Sequence, residues 1–260
     1  MFRSSASWHK WATSAILFTL ATNGIEAVRA QDFRVDTDVF LGGDEETFSE
    51  HLTLFRGPVV YDFAVKGPDE ITILNLQNGT VTLLDVKRRT RTDVTTADLL
   101  EFSARIKAIG TEKQGKDLVA PQFVVKFDEE QSLLELASRK ITYSATAMVP
   151  AAVSTVERYR EFTDWYARLN SMRPPNPPHF GRLELNRELA ERGLLPKEIE
   201  RTISLGRPFS KPQRARSQHV VQMAISGTDR RRIDKAGGYL VSFKKVSKAD
   251  YMQPAAIAAR

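Results

Sequence analysis

The sequence predicts an α+β fold, a curved antiparallel β half-barrel covered by helices. Three observations predict it. Short runs that alternate apolar and polar residues recur from Phe33 to Ala147, which is the period of half-buried strands. Two stretches, 97–109 and 153–170, switch to helical spacing. The chain of 260 residues contains no cysteine, so packing rather than disulfides has to hold it together.

The first 30 residues read as a secretory signal peptide. Arg3 and Lys10 place positive charge ahead of a short apolar run, Trp11 to Ala21, and Val28-Arg29-Ala30 supplies a cleavage site. A run this short falls well under the roughly 20 residues that span a bilayer. A periplasmic or secreted protein is expected. Removal of 1–30 takes away Arg3, Lys10, Arg29 and Glu26, and lowers the formal charge from +6 to +4. That excess is too weak to predict nucleic-acid binding. Residues 31–246 are expected to form a single α+β domain with a helical insertion at about 153–205, and 247–260 a flexible tail.

Phe33 to Val39 alternates and is broken by Gly42-Gly43-Asp44. Val59 to Val65 is a second strand with Tyr61 and Phe63 on one face, turned by Gly67-Pro68-Asp69. Ile71–Leu76 and Val81–Val86 flank Gln77-Asn78-Gly79-Thr80. Asn-Gly between two β-type runs signals a hairpin, because both residues tolerate positive φ. A helix over 97–109 follows, capped by Thr95 or Thr96 and ended by Gly110, with Leu99, Phe102, Ile106 and Ile109 on its apolar face. Phe123, Val125 and Phe127 share a face of the next strand, and Leu133–Ala137 and Ile141–Ala147 continue the sheet.

The helix at 153–170 carries the stripe Val156, Tyr159, Phe162, Tyr166 and Leu169. The Pro-rich segment 174–178 then favours a stiff polyproline-II linker or strap. A helical pair is expected at Leu183–Arg192 and Pro196–Ile203, with Gly193 between and Pro196 in a first turn. Gly206–Arg216 reads as a basic loop. His219–Ile225 and Tyr239–Val246 read as closing strands, joined by a charged loop from Gly227 to Gly238.

No nucleophile elbow, zinc-protease, P-loop or dinucleotide motif is present, and absent cysteine excludes thiolate chemistry. No enzyme activity, metal or cofactor is expected. His51, His179 and His219 read as surface or packing residues. Asp36-x-Asp38 with Asp44, Glu45 and Glu46 has oxygen ligands for calcium, but Phe40 interrupts them and a solvated turn is the simpler reading. Asn78-Gly79-Thr80 fits the N-glycosylation pattern, and the hairpin already accounts for it.

Two features remain as binding candidates. Tyr61, Phe63, Phe123, Val125, Phe127, Tyr143, Met223 and Phe243 are expected to project one way from the sheet. Helices either seal that surface into a plain core or leave an apolar groove. Arg214 and Arg216 precede the penultimate strand, and Arg230, Arg231 and Arg232 follow it. They form either two solvated basic loops or contacts for an anionic headgroup, polymer or acidic partner.

The signal peptide, Val59-Val60-Tyr61-Asp62-Phe63, the hairpin ending Val81-Thr82-Leu83-Leu84-Asp85-Val86-Lys87-Arg88, and the helix at 97–109 together resemble the periplasmic lipoprotein-carrier superfamily, the LolA, LolB and RseB-like proteins. The resemblance covers about 31–150 and the last two strands. It implies an incomplete barrel capped by helices whose apolar face binds acyl chains without catalysis. The Pro-rich stretch and the helical pair at 183–203 depart from a minimal carrier. Two functions are therefore carried forward. One is an exported non-enzymatic binding protein with an apolar groove for lipid or lipoprotein acyl chains. The other is an envelope interaction or structural module that binds an anionic polymer, membrane or protein partner through its basic loops.

Overall fold

The computed structural model describes residues 32–112, 115–204 and 211–252; the expected signal peptide lies outside them. The chain is mixed α+β. Its strands are β1 (Phe33–Leu41), β2 (Ser49–Arg56), β3 (Val59–Lys66), β4 (Glu70–Asn75), β5 (Thr80–Asp85), β6 (Thr90–Thr95), β7 (Val124–Asp128), β8 (Leu133–Ala137), β9 (Ile141–Met148), β10 (Leu195–Ile203), β11 (Gln213–Gln222) and β12 (Lys244–Lys245). Its helices are α1 (Thr96–Glu112), α2 (Lys116–Val119), α3 (Val153–Ser171), α4 (Phe180–Glu191), α5 (Gly227–Ser242) and α6 (Lys248–Met252). The strands form one open sheet in the order β12-β6-β5-β4-β3-β2-β1-β11-β10-β9-β8-β7. Every pairing is antiparallel except β12 on β6. Among the described residues no helix is long and apolar enough to cross a membrane.

The register assigns each strand residue to a face. Val35, Thr53 and Asp62 lie side by side across β1, β2 and β3, as do Thr37 and His219 across β1 and β11. Ile199 then meets Ala145, and Leu136 meets Tyr143 and Val125. All of these face α3 and α4. Phe33, Phe55, Val60, Leu74, Val81, Leu83 and Val94 pack there against Val156, Tyr159, Phe162 and Leu169 of α3. Leu134, Leu136, Ile141, Tyr143 and Ala145 pack against Leu185 and Leu189 of α4. The opposite face carries Leu52, Leu54, Phe63, Ile71, Ile73 and Leu84, which meet Ile233, Ala236 and Phe243 in and after α5.

Local chemistry explains the main elements. Gly79 has a φ of 59°, and its N–H donates to Leu76 O at 3.2 Å to close the β4–β5 hairpin at the Asn-Gly step. Gly181 lets α4 approach the sheet: a Cβ there would stand 3.1 Å from Tyr143 Cε2 and 3.3 Å from Phe123 Cζ. Ser226 and Asp229 form a reciprocal capping box at the start of α5.

Several expectations are corrected. Pro196–Ile203 is a strand, not the second helix of a pair. Leu195, Ile199 and Ile203 are four apart, a spacing that fits one helix face and, equally, every second residue of a strand face. Pro196 is tolerated because the ladder slips between Pro196 and Glu198. Thus the stretch 153–205 is not purely helical. Residues 227–242 are a helix, so Tyr239–Val246 is not a closing strand and Arg230, Arg231 and Arg232 do not lie in a loop. The Ser226 cap and the spacing Ile233, Ala236, Leu240, Phe243 outweigh Gly237 and Gly238, both of which face open space. Arg214 and Arg216 belong to β11 rather than to a basic loop. The Pro174–Pro175 peptide is cis, and Asn176 N–H donates to Arg173 O at 3.0 Å, which closes a turn in place of a polyproline-II strap. The expected tail contains α6, whose Tyr251 is buried. Strands β2 and β6 were not anticipated.

Phe33 stacks on Phe55 at a centroid distance of 3.9 Å, and Phe162 meets Phe55 edge-on at 5.6 Å. Replacing Phe55, which is fully buried, by Ala should lower the free energy of unfolding by about 3–5 kcal/mol. Urea denaturation followed by far-UV circular dichroism measures it.

Candidate functional site

A cleft of about 580 Å³ opens between the segment 119–123 and the helices α3 and α4. Its walls follow helical spacing. Arg160, Asp164 and Arg168 lie four apart on one side of α3, and Phe180, Leu183, Glu184 and Arg187 recur on one side of α4. Phe123 enters it from the residue before β7 and sits edge-on to Tyr143 at 6.3 Å.

The rim is charged and ordered. Asn186 donates to Asp164 Oδ1 at 2.7 Å, while burial pushes the Asp164 carboxyl up. Arg168 donates to the Asp164 backbone oxygen at 2.8 Å, and its guanidinium stands over the Trp165 ring at 4.9 Å. Arg187 fans across Glu184, Glu188 and Glu191 at 2.5, 2.6 and 2.9 Å, and hydrogen bonds to Glu184 and Glu191 push its guanidinium up. Apolar surface from Phe123, Phe180 and Leu183 thus lies beside three cationic groups. The carboxylates of Asp164 and Glu184 line the cleft with them.

The expected groove residues do not all project one way. Tyr61, Phe63 and Phe243 are on the α5 face. Phe123, Val125, Phe127 and Tyr143 are on the α4 face. Met223 joins the α3 cluster. The alternation of β3 separates them, because Asp62 faces α3 and its neighbours Tyr61 and Phe63 must turn away. Phe123 alone of the eight borders the cleft; Val125 and Phe127 are half-buried beside Leu118, and Tyr143 is buried.

The basic residues stay in two groups. Arg216 caps the Phe40 ring at 4.2 Å and reaches Glu198 at 3.6 Å, and Arg214 is exposed. Both sit toward the start of β11. Arg230, Arg231 and Arg232 are exposed on α5, which begins beyond the other end of that strand. In the Asp36 region, Asp36 pairs with Arg34, and Arg34 also donates to Asp229 at 3.2 Å. Among the described residues no three His, Asp or Glu side chains converge to hold a metal.

Each of His51, His179 and His219 is held in a packing network. His51 Nδ1 lies 2.9 Å from Asp62 Oδ2, and Thr53 donates to the other oxygen at 2.7 Å. Burial opposes the charge on His51, but the Asp62 hydrogen bond and the charges of Asp62 and Glu70 push it up. His179 Nδ1 lies 2.8 Å from Ser171 Oγ, and burial with the nearby Arg168 charge pushes it down to about 4. His219 lies 3.1 Å from Thr37 and 3.0 Å from Ser217, and burial with the Arg182 charge pushes it down to about 3.

No protein-family model matches the chain, and no curated protein matches it.

His179 and His219 resist protonation in the fold, whereas the unfolded chain takes up protons near pH 6.5. Their effect is full stability above pH 6.5 and a progressive loss on acidification toward about 4 and about 3. The loss should reach a few kcal/mol at about 1.4 kcal/mol per pK unit. His51 acts in the opposite sense, stabilising below about pH 6.5 and ceasing to do so as pH rises through its raised folded value. Denaturant titrations between pH 4 and 8 should show a net decline on acidification, and His219→Gln should flatten it.

Proposed function

We propose that this chain is an exported, non-enzymatic binding protein that takes an amphiphile, an acyl chain with an anionic end, in the cleft beside Phe123. The observation that carries this reading is the mixed lining of that cleft. Its volume of about 580 Å³ falls in the range of about 300–1,000 Å³ usual for small-molecule sites. Its apolar wall of Phe123, Phe180 and Leu183 suits a chain, and Arg160 and Arg168, two cations that share the one carboxylate of Asp164, suit an anionic end, while Arg187 is held by Glu184, Glu188 and Glu191. Each buried methylene is worth about 0.8 kcal/mol, so an acyl segment binds there without a special polar motif.

The open antiparallel sheet supports the finer description of a half-barrel with helical cover, in keeping with the resemblance to periplasmic lipoprotein carriers. The binding surface in this reading is narrower than the eight-residue groove expected from sequence. It is confined to the β7–α4 end, where Phe123, Val125 and Phe127 are only half-buried.

A second reading has its own observation. On α5 the side chains of Arg230, Arg231, Arg232 and Lys235 are exposed, with Asp234 the one exposed carboxylate among them, while Asp229 is buried. This cationic helix face suits an anionic polymer, membrane or protein partner in the envelope, and such binding weakens as salt rises.

An apolar fluorescent dye should bind the native protein and be displaced by palmitate. Phe123→Asp and the cleft-filling Leu183→Trp should each lower dye affinity at least about tenfold, or 1.4 kcal/mol. Replacing Arg230, Arg231 and Arg232 together by Gln should leave it unchanged. Dye binding that ignores palmitate and both cleft variants ends the amphiphile reading; salt-sensitive binding to anionic vesicles that the triple variant abolishes favours the second.

A further inference from the structure

Helix α5 lies along the sheet face opposite α4. Ile233 and Ala236 within it, and Phe243 just after it, are buried with Leu52, Leu54, Phe63 and Leu84. Its other side is therefore turned to solvent over a helix of 16 residues, about 24 Å. Arg230, Arg231, Arg232 and Lys235 are exposed there. Arg231 donates to Thr228 Oγ1 at 2.9 Å, and the Lys235 ammonium lies 5.7 Å from the Tyr239 ring centre. Among the described residues none of the four is paired with a carboxylate. Asp234, the exposed acid among them, stands 3.7 Å from Arg56 of β2.

Successive residues of a helix project about 100° apart. Arg230, Arg231 and Arg232 therefore fan outward and do not close on one small anion. A broad anionic surface meets all of them at once. Val241 adds a second chemistry. It is 89% exposed and follows Arg230, Asp234 and Gly237 by steps of three and four residues, which keeps it on their stripe. Gly237 and Gly238 face open space, so no side chain of theirs stands between the cations and Val241. A soluble polyanion offers nothing to a bare valine. The boundary of an anionic bilayer offers phosphates to the cations and hydrocarbon to the valine.

We propose that the exposed side of α5 docks the protein on an anionic lipid bilayer, with Arg230, Arg231, Arg232 and Lys235 at the phosphates and Val241 at the acyl boundary. The proposal rests on the reading of α5 as a cationic binding face and names the partner of that face. The Phe123 cleft lies on the other side of the sheet and takes no part in it. Each cation held near such a surface strengthens binding about fivefold.

The test is cosedimentation of the protein with vesicles of phosphatidylcholine, with and without phosphatidylglycerol, and a parallel arm that measures binding to soluble polyphosphate. The protein should sediment with the anionic vesicles alone and be released by added salt. Replacing Arg230, Arg231 and Arg232 together by Gln should weaken vesicle binding about a hundredfold. Val241→Ser, which keeps the charge, should weaken it about threefold or more and leave any polyphosphate binding unchanged. Val241→Trp should bind as the parent does, with added fluorescence that shifts to the blue on anionic vesicles and is quenched by brominated acyl chains. Vesicle binding indifferent to Val241→Ser, beside salt-sensitive binding to polyphosphate, overturns the bilayer as partner and leaves the cationic face standing with a soluble polyanion. Vesicle binding that survives the triple substitution, or no binding to either anionic probe, overturns the proposal and the cationic-face reading together.

Discussion

Strand β1 is the one connection between the two ends of the sheet. It pairs with β2 on one side and with β11 on the other, seven and eight residue pairs respectively. Without it the order breaks into β12-β6-β5-β4-β3-β2 and β11-β10-β9-β8-β7. The β1–β11 partners are separated by most of the chain, so loop-closure entropy has to be overcome before that pairing contributes. Side chains on both faces secure it. Phe33 and Val35 enter the core beneath α3, and on the other face Arg34 bridges Asp36 and the α5 cap residue Asp229. One seam thus fixes α3 and α5 relative to the same strand.

The two ends beyond that seam are built differently. In β4 and β5 most residues are buried, and apart from Thr82 only the strand ends are partly open. Those strands are covered on both faces, by the α3 cluster and by the α5 cluster. In β8 and β9 buried residues alternate with exposed or half-exposed ones. Leu134, Leu136, Tyr143 and Ala145 face α4, while Glu135, Thr142 and Thr146 face away and are exposed. A polar surface across β7, β8 and β9 needs no second layer.

That difference was legible in the sequence, since Ile71–Leu76 and Val81–Val86 are near-continuous apolar runs and Ile141–Ala147 alternates strictly. The Asn-Gly hairpin, α1, α3 and the strands of 122–147 were equally legible because each has its own local signal. What was not legible depended on partners distant in sequence. The spacing of Leu195, Ile199 and Ile203 fits a helix and a strand alike, and only the neighbours β9 and β11 decide between them. Residues 227–242 carried an Arg run and a Gly pair that resemble a loop, and the decisive signal was the Ser226–Asp229 cap. Of the candidate groove, the aromatic character was legible but not the face: Tyr61 and Tyr143 are assigned to opposite sides by the five pairings that link β3 to β9.

Charge placement follows from the same geometry. On the α5 side Arg34 finds Asp36 and Asp229, and near α6 Arg173 finds Glu70 at 2.8 Å while Tyr251 donates to the same carboxylate at 2.9 Å. Asp62 is met by His51 and Thr53. At the β1–β6 end, then, buried charge is answered from within the chain, and it joins sheet to helix. Under α4 the pattern changes. Arg201 keeps a buried Nε with no hydrogen-bond partner, and Arg182 Nε donates to Asn186, which donates in turn to Asp164. Both features lie in the half of the sheet that has one helical layer rather than two, as does the Phe123 cleft. A second layer would have supplied burial from both sides and little freedom to open. A single layer, held near Gly181 by close approach to Tyr143 and Phe123, leaves the α4 margin as the part of the fold where the cleft can open to solvent beside the core.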